Sequence, residues 1–259
     1  MSMKLYILDN GWMEGDENWI VTLKNYATKD KKNVQSVWRK FPVYSVLLDT
    51  PNGKILYDTG HSPDEYDKSN RFPYYYTEEQ RMINQLALAN TKPDEISKVV
   101  MSHLHDDHCG NLKMFANADI YISKDEYNYV KNARDNNRQP RGAYKLFDFD
   151  YPNIHLVDED LELIDNVRLI NLPGHSCGLL GLIINLEKDG TIIFPMDAVD
   201  TKDNYGPPVI PTGGVYNNEM YYDSIEKVRK LQEQYNAKVF FSHDIEQYQL
   251  MKKAPEYYE

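Results

Sequence analysis

Cysteine is nearly missing from this chain: Cys109 and Cys177 are the two thiols in 259 residues. Two thiols cannot supply the cross-linked framework of a small oxidised domain, so a reducing, cytoplasmic setting is expected. Positive charge is also short, with 29 Lys and Arg against 40 Asp and Glu and a formal net charge of −11. A surface of that balance has no basic stripe to displace counterions from a phosphate backbone, which argues against a nucleic-acid partner. Long apolar runs are lacking too. Nothing approaches the roughly 20 residues that cross a bilayer, and Met1 to Asn10 carries one basic residue, Lys4, on the strand-like Lys4-Leu5-Tyr6-Ile7-Leu8, so neither a signal peptide nor a membrane span is expected. Repeats and low-complexity tracts are absent.

What the chain does have is a core and a cluster. Hydrophobic residues make up 41% and there are 21 tyrosines, enough apolar area for one large domain or two small ones. Of only seven histidines, three fall in Ser102-His103-Leu104-His105-Asp106-Asp107-His108. Imidazole nitrogen and carboxylate oxygen are the ligands that divalent zinc and its neighbours accept, so the pattern reads as a metal site rather than as a polar loop. The preceding Ser97-Lys98-Val99-Val100-Met101 reads as a buried strand. Three more strand-like runs end the same way: 167–172 runs into Pro173-Gly174-His175, 191–196 into Asp197, and 237–242 into His243. Strands that share a sheet expose their carboxyl ends on one rim, where groups distant in sequence converge. Seven candidate ligands follow: His103, His105, Asp107, His108, His175, Asp197 and His243. Their span ties both halves of the chain to one site, and residues 1–259 read as a single domain.

Val43–Asp49 and Lys54–Asp58 flank Thr50-Pro51-Asn52-Gly53, a tight-turn sequence that predicts a β-hairpin. Thr77-Glu78-Glu79-Gln80 has the form of a capping box opening a helix to about Asn90, with Met82, Ile83, Leu86 and Asn90 near helical spacing. Further helices are expected over Lys124–Arg134 and Glu219–Tyr235, the latter with Ile225, Val228 and Leu231 as its apolar stripe. Asn10–Lys40, which holds Trp12, Trp19 and Trp38, and Asp200–Asn218, which is rich in Gly and Pro, read as loops. Such aromatic loops serve as a lid, a partner surface or a cap on the core.

The ordered set Asp58, His103-x-His105-x-Asp107-His108, His175, Asp197 and His243 resembles the metallo-β-lactamase superfamily. That resemblance implies an α/β fold, a four-layer αββα sandwich with a dinuclear metal site at one edge of the sheets. It implies that His103, His105 and His175 hold one ion, that Asp107, His108 and His243 hold the second, and that Asp197 and a water bridge them. The ions are expected to be zinc, with His105 in place of the Glu of iron-binding flavodiiron proteins; manganese, iron or cobalt also suit the set. Two cations lower the pKa of a shared water and polarise a carbonyl, which is the chemistry of ester hydrolysis.

Within the superfamily, Phe41-Pro42-Val43-Tyr44-Ser45, Ile55-Leu56-Tyr57-Asp58-Thr59-Gly60 and Phe240-Phe241-Ser242-His243-Asp244-Ile245-Glu246-Gln247 look like the N-acyl homoserine lactonase family, and the first of these is also similar to 4-pyridoxolactonase. Glyoxalase II fits less well, with sixteen residues after His243 where it carries a helical region, and the acidic charge disfavours the nucleases. The resemblance implies a lactone as small-molecule substrate and Asp107 as proton carrier. Acyl homoserine lactonases place a substrate-binding Tyr three residues after the bridging Asp, where this chain has Asp200; either Asp200 itself or Tyr205, reaching in from the following loop, is the candidate substrate-binding residue. A pyridoxolactone-type or other cyclic ester or amide is the alternative substrate. A metal-binding or redox-sensing module built on Cys109 and Cys177 is the non-enzymatic reading. A monomer or homodimer is expected.

Overall fold

Alternation of side chains along the strands assigns each residue to one of three apolar layers. Leu5 and Ile7 face one way with Val46 and Leu48, while Tyr6 and Leu8 face the other way with Leu47. On the opposite sheet Val167, Leu169, Leu182 and Ile184 join the first set, and Ile170 and Ile183 form a third cluster. A period of two buried on both faces requires that each sheet be covered twice, once by the other sheet and once by helices.

The computed structural model describes residues 2–62, 72–138 and 147–259. In chain order the elements are β1 (Lys4–Asp16), β2 (Trp38–Thr50), β3 (Gly53–Tyr57), β4 (Tyr74–Tyr75), α1 (Met82–Leu88), β5 (Ile96–Val100), α2 (Asp106–Cys109), β6 (Asp119–Ser123), α3 (Lys124–Asp135), β7 (Ile154–Val157), β8 (Leu161–Ile164), β9 (Val167–Asn171), β10 (Leu180–Leu186), β11 (Gly190–Met196), α4 (Lys202–Tyr205), α5 (Asn218–Tyr235), β12 (Lys238–Phe241) and α6 (Ile245–Leu250). One sheet has the order β4-β1-β2-β3-β5-β6-β7 and the other β12-β11-β10-β9-β8. This is the four-layer αββα sandwich. The first core cluster lies between the sheets. The second lies under α1 and α3, with Met82, Leu86 and Val130; the third lies under α5, with Tyr221, Ile225 and Val228.

Strand directions decide where the ligands go. β3, β5, β6 and β7 run parallel, and in the other sheet β11 and β12 run parallel while β9 reaches the same sense through two antiparallel steps. The carboxyl ends of β3, β5, β9, β11 and β12 therefore open on one edge of the sandwich, followed by Asp58, the 101–108 segment, His175, Asp197 and His243.

Three local expectations are corrected. The loop from Asn10 to Lys40 is shorter than the sequence suggests, because β1 runs on to Asp16 and β2 begins at Trp38. A register shift between Asp9 and Trp12, with Gly11 at φ +95°, breaks the alternation that would have marked these residues as strand. The capping box of Thr77 and Gln80 is present, but it closes a 3₁₀ turn at Glu78–Gln80, and α1 starts at Met82. The side-chain amides of Asn84 and Gln85 take the carbonyls of Glu78 and Glu79 at 2.6 and 2.8 Å, which competes with backbone helix bonds. The Asp200–Asn218 segment contains α4. It is tied to the loop after β1: Thr22 N–H donates to the Pro211 carbonyl (3.0 Å) and Gly213 N–H to that of Trp19 (2.7 Å). The helices expected over 124–134 and 219–235 form as α3 and α5. Asn217 caps α5 by accepting from the Met220 N–H, and Asn236 ends it in the left-handed region.

Candidate metal centre

Asp197 and His243 stand one and two residues past a strand and His103 and His175 three and four, while His105 precedes the short helix α2 and Asp107 and His108 lie in it, so strand ends hold the backbones and short segments aim the side chains. Two groups of four ligand atoms gather within 4.8 Å of one another: His103, His105, His175 and Asp197 in one, and Asp107, His108, Asp197 and His243 in the other. We refer to them as the three-histidine and two-histidine groups. All seven residues singled out as ligands in the sequence are brought together here.

Asp197 belongs to both groups, one oxygen to each. Its Oδ2 lies 3.3 Å from His175 Nε2 and 3.6 Å from His103 Nε2, and its Oδ1 lies 3.3 Å from both His108 Nε2 and His243 Nε2. Asp107 Oδ2 stands 3.3 Å from His108 Nε2 and 3.6 Å from His243 Nε2. His105 Nδ1 and His175 Nε2 are 3.1 Å apart. Ligands about 2.0–2.1 Å from a tetrahedral ion are separated from one another by roughly 3.3 Å, so these spacings are those of atoms around a common cation. Among the described residues, His103 Nε2, His108 Nε2 and Asp197 Oδ1 are buried and, beyond the ion-pair approaches above, have no hydrogen-bond partner. Buried polar atoms left unpaired are costly, and a cation at each group would satisfy all three.

The outer edges of the rings are held differently in the two groups. His108 Nδ1 donates to Asp58 Oδ2 at 2.7 Å, and His243 Nδ1 to the Pro42 carbonyl at 2.9 Å, which leaves each Nε2 lone pair facing inward. Asp58 accepts further bonds from the Ser102 N–H and hydroxyl, both at 2.7 Å. Asp58 sits at φ 59°, a conformation that costs a non-glycine residue and that these bonds maintain. In the three-histidine group His103 Nδ1 reaches the Ser102 hydroxyl at 3.0 Å, but His175 Nδ1 is buried without a partner among the described residues.

In the metal-free chain, burial pushes His103 well below its ordinary value and His105 down to about 3, with neighbouring imidazolium charge adding to the effect. Burial also lowers His175. Burial works against charge on His108 and His243 as well, but Asp197 and its carboxylate neighbours outweigh it, raising His108 well above the usual range and His243 to about 9. The acids Asp107 and Asp197 are held ionised by the same contacts, above all by His108 against the burial that would raise them.

Of the two candidate substrate residues, Tyr205 is turned away from the ligand groups and Asp200 is buried beside them. The Tyr205 hydroxyl donates to Gln232 Oε1 on α5 at 2.6 Å, with its ring against Phe241 5.5 Å away. It therefore faces the outer helix layer and not the centre. Asp200 is 1% exposed and sits behind His243, whose N–H donates to its carbonyl at 2.9 Å, and Ser242 Oγ lies 3.4 Å from its carboxylate. Burial, with Asp197 close by, pushes its carboxyl well above the usual range. Cys109 is buried with its Sγ on the Leu104 carbonyl at 3.7 Å, and neither cysteine belongs to a ligand group among the described residues.

Two buried residues at the centre escaped the sequence reading. Tyr221, at the start of α5, is fully buried with its hydroxyl unpaired among the described residues; nothing in its spacing separates it from a core tyrosine. Glu126 in α3 is 0% exposed. Ser123-x-x-Glu126 has the form of a capping box, but the Ser123 side chain makes no cap bond, and the Glu126 carboxylate turns instead to the ligand loops.

A sequence profile of the Metallo-beta-lactamase superfamily matches residues 38–243. The chain is 32% identical to N-acyl homoserine lactonase AiiB of Rhizobium rhizogenes over the whole of both chains. It is 34% identical to an N-acyl homoserine lactonase of Bacillus cereus, with 83% of this chain and 86% of that one covered. Among solved structures, an N-acyl homoserine lactone hydrolase with the product N-hexanoyl-L-homoserine bound at its catalytic metal centre superposes with a TM-score of 0.85, at 27% identity and 99% coverage of each chain.

Proposed function

The chain belongs to the metallo-β-lactamase superfamily and, within it, to the N-acyl homoserine lactonase family, and from that premise we propose that it is a dinuclear zinc lactonase, a single hydrolase domain that opens the ring of N-acyl homoserine lactones. The observation that carries the reading is the division of Asp197, one oxygen to each of two complete four-ligand groups. His103, His105 and His175 would hold one ion, and Asp107, His108 and His243 the other. Two divalent cations, when bound there, supply the charge that acidifies water and polarises an ester carbonyl.

The residues then have separable tasks. Asp58, Ser102 and the Pro42 carbonyl engage the outer ring nitrogens, so that each ring presents its inward nitrogen to an ion, which displaces the proton that His108 and His243 carry without it. Most of the ligand set is buried away from bulk water. Asp107 and His105 are the more open ligands: the Asp107 side chain is 12% exposed and His105 is half-buried, against 0–8% for His103, His108, His175, Asp197 and His243. The Asp107 carboxylate is ionised and positioned to take the proton of the attacking water and return it to the ring oxygen that leaves. No nucleophilic side chain is needed.

Asp107→Asn keeps the shape and removes the proton carrier, and a general acid–base group is typically worth about 10²–10⁴-fold. The expected result is a fall of that size in kcat with N-hexanoyl homoserine lactone, with at least one ion retained by elemental analysis. Near-normal turnover in a metal-loaded variant would remove Asp107 from the mechanism.

A further inference from the structure

Among the described residues nothing hydrogen-bonds the outer nitrogen of the His175 ring, so its aim comes from the backbone that carries it. That backbone and the loop bearing His103 and His105 are joined by one side chain. Glu126 Oε1 accepts the Leu104 N–H at 3.1 Å, and Glu126 Oε2 accepts the Gly178 N–H at 3.2 Å. The Cys177 amide and the Ser176 side chain also face this carboxylate. Leu104 lies between two ligands, and Gly178 ends the segment that begins at His175. The approach is close: a Cβ on Gly178 would stand 2.2 Å from Ser123 Oγ and 2.8 Å from Glu126 N, so the first turn of α3 is seated against the loop.

We propose that Glu126 is a positioning residue for the three-histidine group, one carboxylate oxygen fixing each of its two ligand loops and so setting the spacing of His105 and His175. This rests on the metal-centre reading above and adds to it a side chain that touches neither ligand ring nor substrate. The two-histidine group meets Glu126 only through the same 101–108 segment, beyond Leu104, where Asp107 and His108 are seated in α2 and His108 is held by Asp58, so its ligands are expected to feel the change less. A glutamine keeps one acceptor oxygen and turns an N–H donor toward the other loop, which releases one of the two backbones.

The test separates the halves with Co²⁺ as probe, its affinity measured by competition with a chromophoric chelator and its geometry by visible absorption. In a His243→Ala background the three-histidine group is the complete one, and Glu126→Gln is expected to weaken Co²⁺ binding about 10–100-fold, the usual cost of an altered outer-shell partner, with a changed ligand-field spectrum. In a His175→Ala background the two-histidine group is complete, and the same change is expected to alter affinity by less than about threefold. Glu126→Asp, which keeps the charge but is one methylene short of spanning both loops, is expected to follow the same pattern and carries the test if the glutamine variant does not fold. Equal losses in both backgrounds would mark Glu126 as general scaffold, and no loss in either would overturn the assignment outright. A protein that binds Co²⁺ as expected but opens no lactone would instead refute the substrate reading and leave Glu126 in place.

Discussion

The two halves of the centre share Asp197 and hold their ligands by opposite means. In the two-histidine group a buried carboxylate grips a ligand ring directly, Asp58 on His108, and a backbone carbonyl grips another, Pro42 on His243. In the three-histidine group the buried carboxylate, Glu126, grips main chain and leaves the His175 ring to follow its loop. Acidic neighbours make the histidines of one half easy to protonate, while burial makes those of the other hard to protonate. The difference teaches that a ligand can be oriented through its ring or through its backbone, and that the two routes leave different electrostatic signatures.

Breaking the feature the halves share should have the largest effect. Asp197→Ala is expected to lower affinity for both ions by about 10²-fold or more each, beyond what an outer-shell change costs, and to bring lactone opening to background. Metal analysis after dialysis checks it; retention of one tightly bound ion would show that the halves are independent. Next in size, Asp58→Asn removes the acceptor that sets the His108 tautomer, and is expected to weaken metal binding at the two-histidine group about 10–100-fold while sparing the other. Chelator competition in the His175→Ala and His243→Ala backgrounds reads the split.

Stability of the chelator-treated protein sharpens the comparison through pH. His105, held down at about 3, takes up a proton when the chain unfolds below its ordinary value of 6.5, so its contribution is present above 6.5 and lost as pH falls toward 3. His243, raised to about 9, holds a proton that the unfolded chain gives up, so its contribution is complete below 6.5 and lost as pH rises through 9. Tm is expected to decline on both sides of about pH 6.5, with His243→Gln flattening the alkaline limb and His105→Gln the acid one. An exchange of those limbs would reverse the assignment. The smallest effect belongs outside the centre: Tyr205→Phe loses one hydrogen bond to Gln232, worth about 1 kcal/mol of stability, and should leave kcat/KM within roughly twofold. A large change in kcat/KM would return Tyr205 to the substrate.

Much of this site was legible because its ligands are short-range features of the chain. His103, His105, Asp107 and His108 fall in six residues, and His175, Asp197 and His243 each follow an apolar run that can only be a strand buried on both faces. What misled was equally local. Asp200 takes the place of a substrate-binding tyrosine in the linear order, yet three residues past Asp197 the chain has turned under the His243 backbone, and its carboxyl is buried. Tyr205 lies in the right loop, but α4 presents it to α5.

The sequence by itself determined the ligand set and the strand ends that carry it, because periodicity and strand ends are written residue by residue, while the layered α/β architecture followed from the resemblance of the ordered motifs to the metallo-β-lactamase superfamily. Only the tertiary structure decided which carboxylates support the ligands. Glu126 and Leu104 are 22 residues apart, and Asp58 and His108 are 50 apart. Partnerships at such separations depend on how β3, β5 and α3 pack, and an acidic residue in the first turn of a helix or after a strand looks the same in sequence whether it faces water or holds a metal ligand in place.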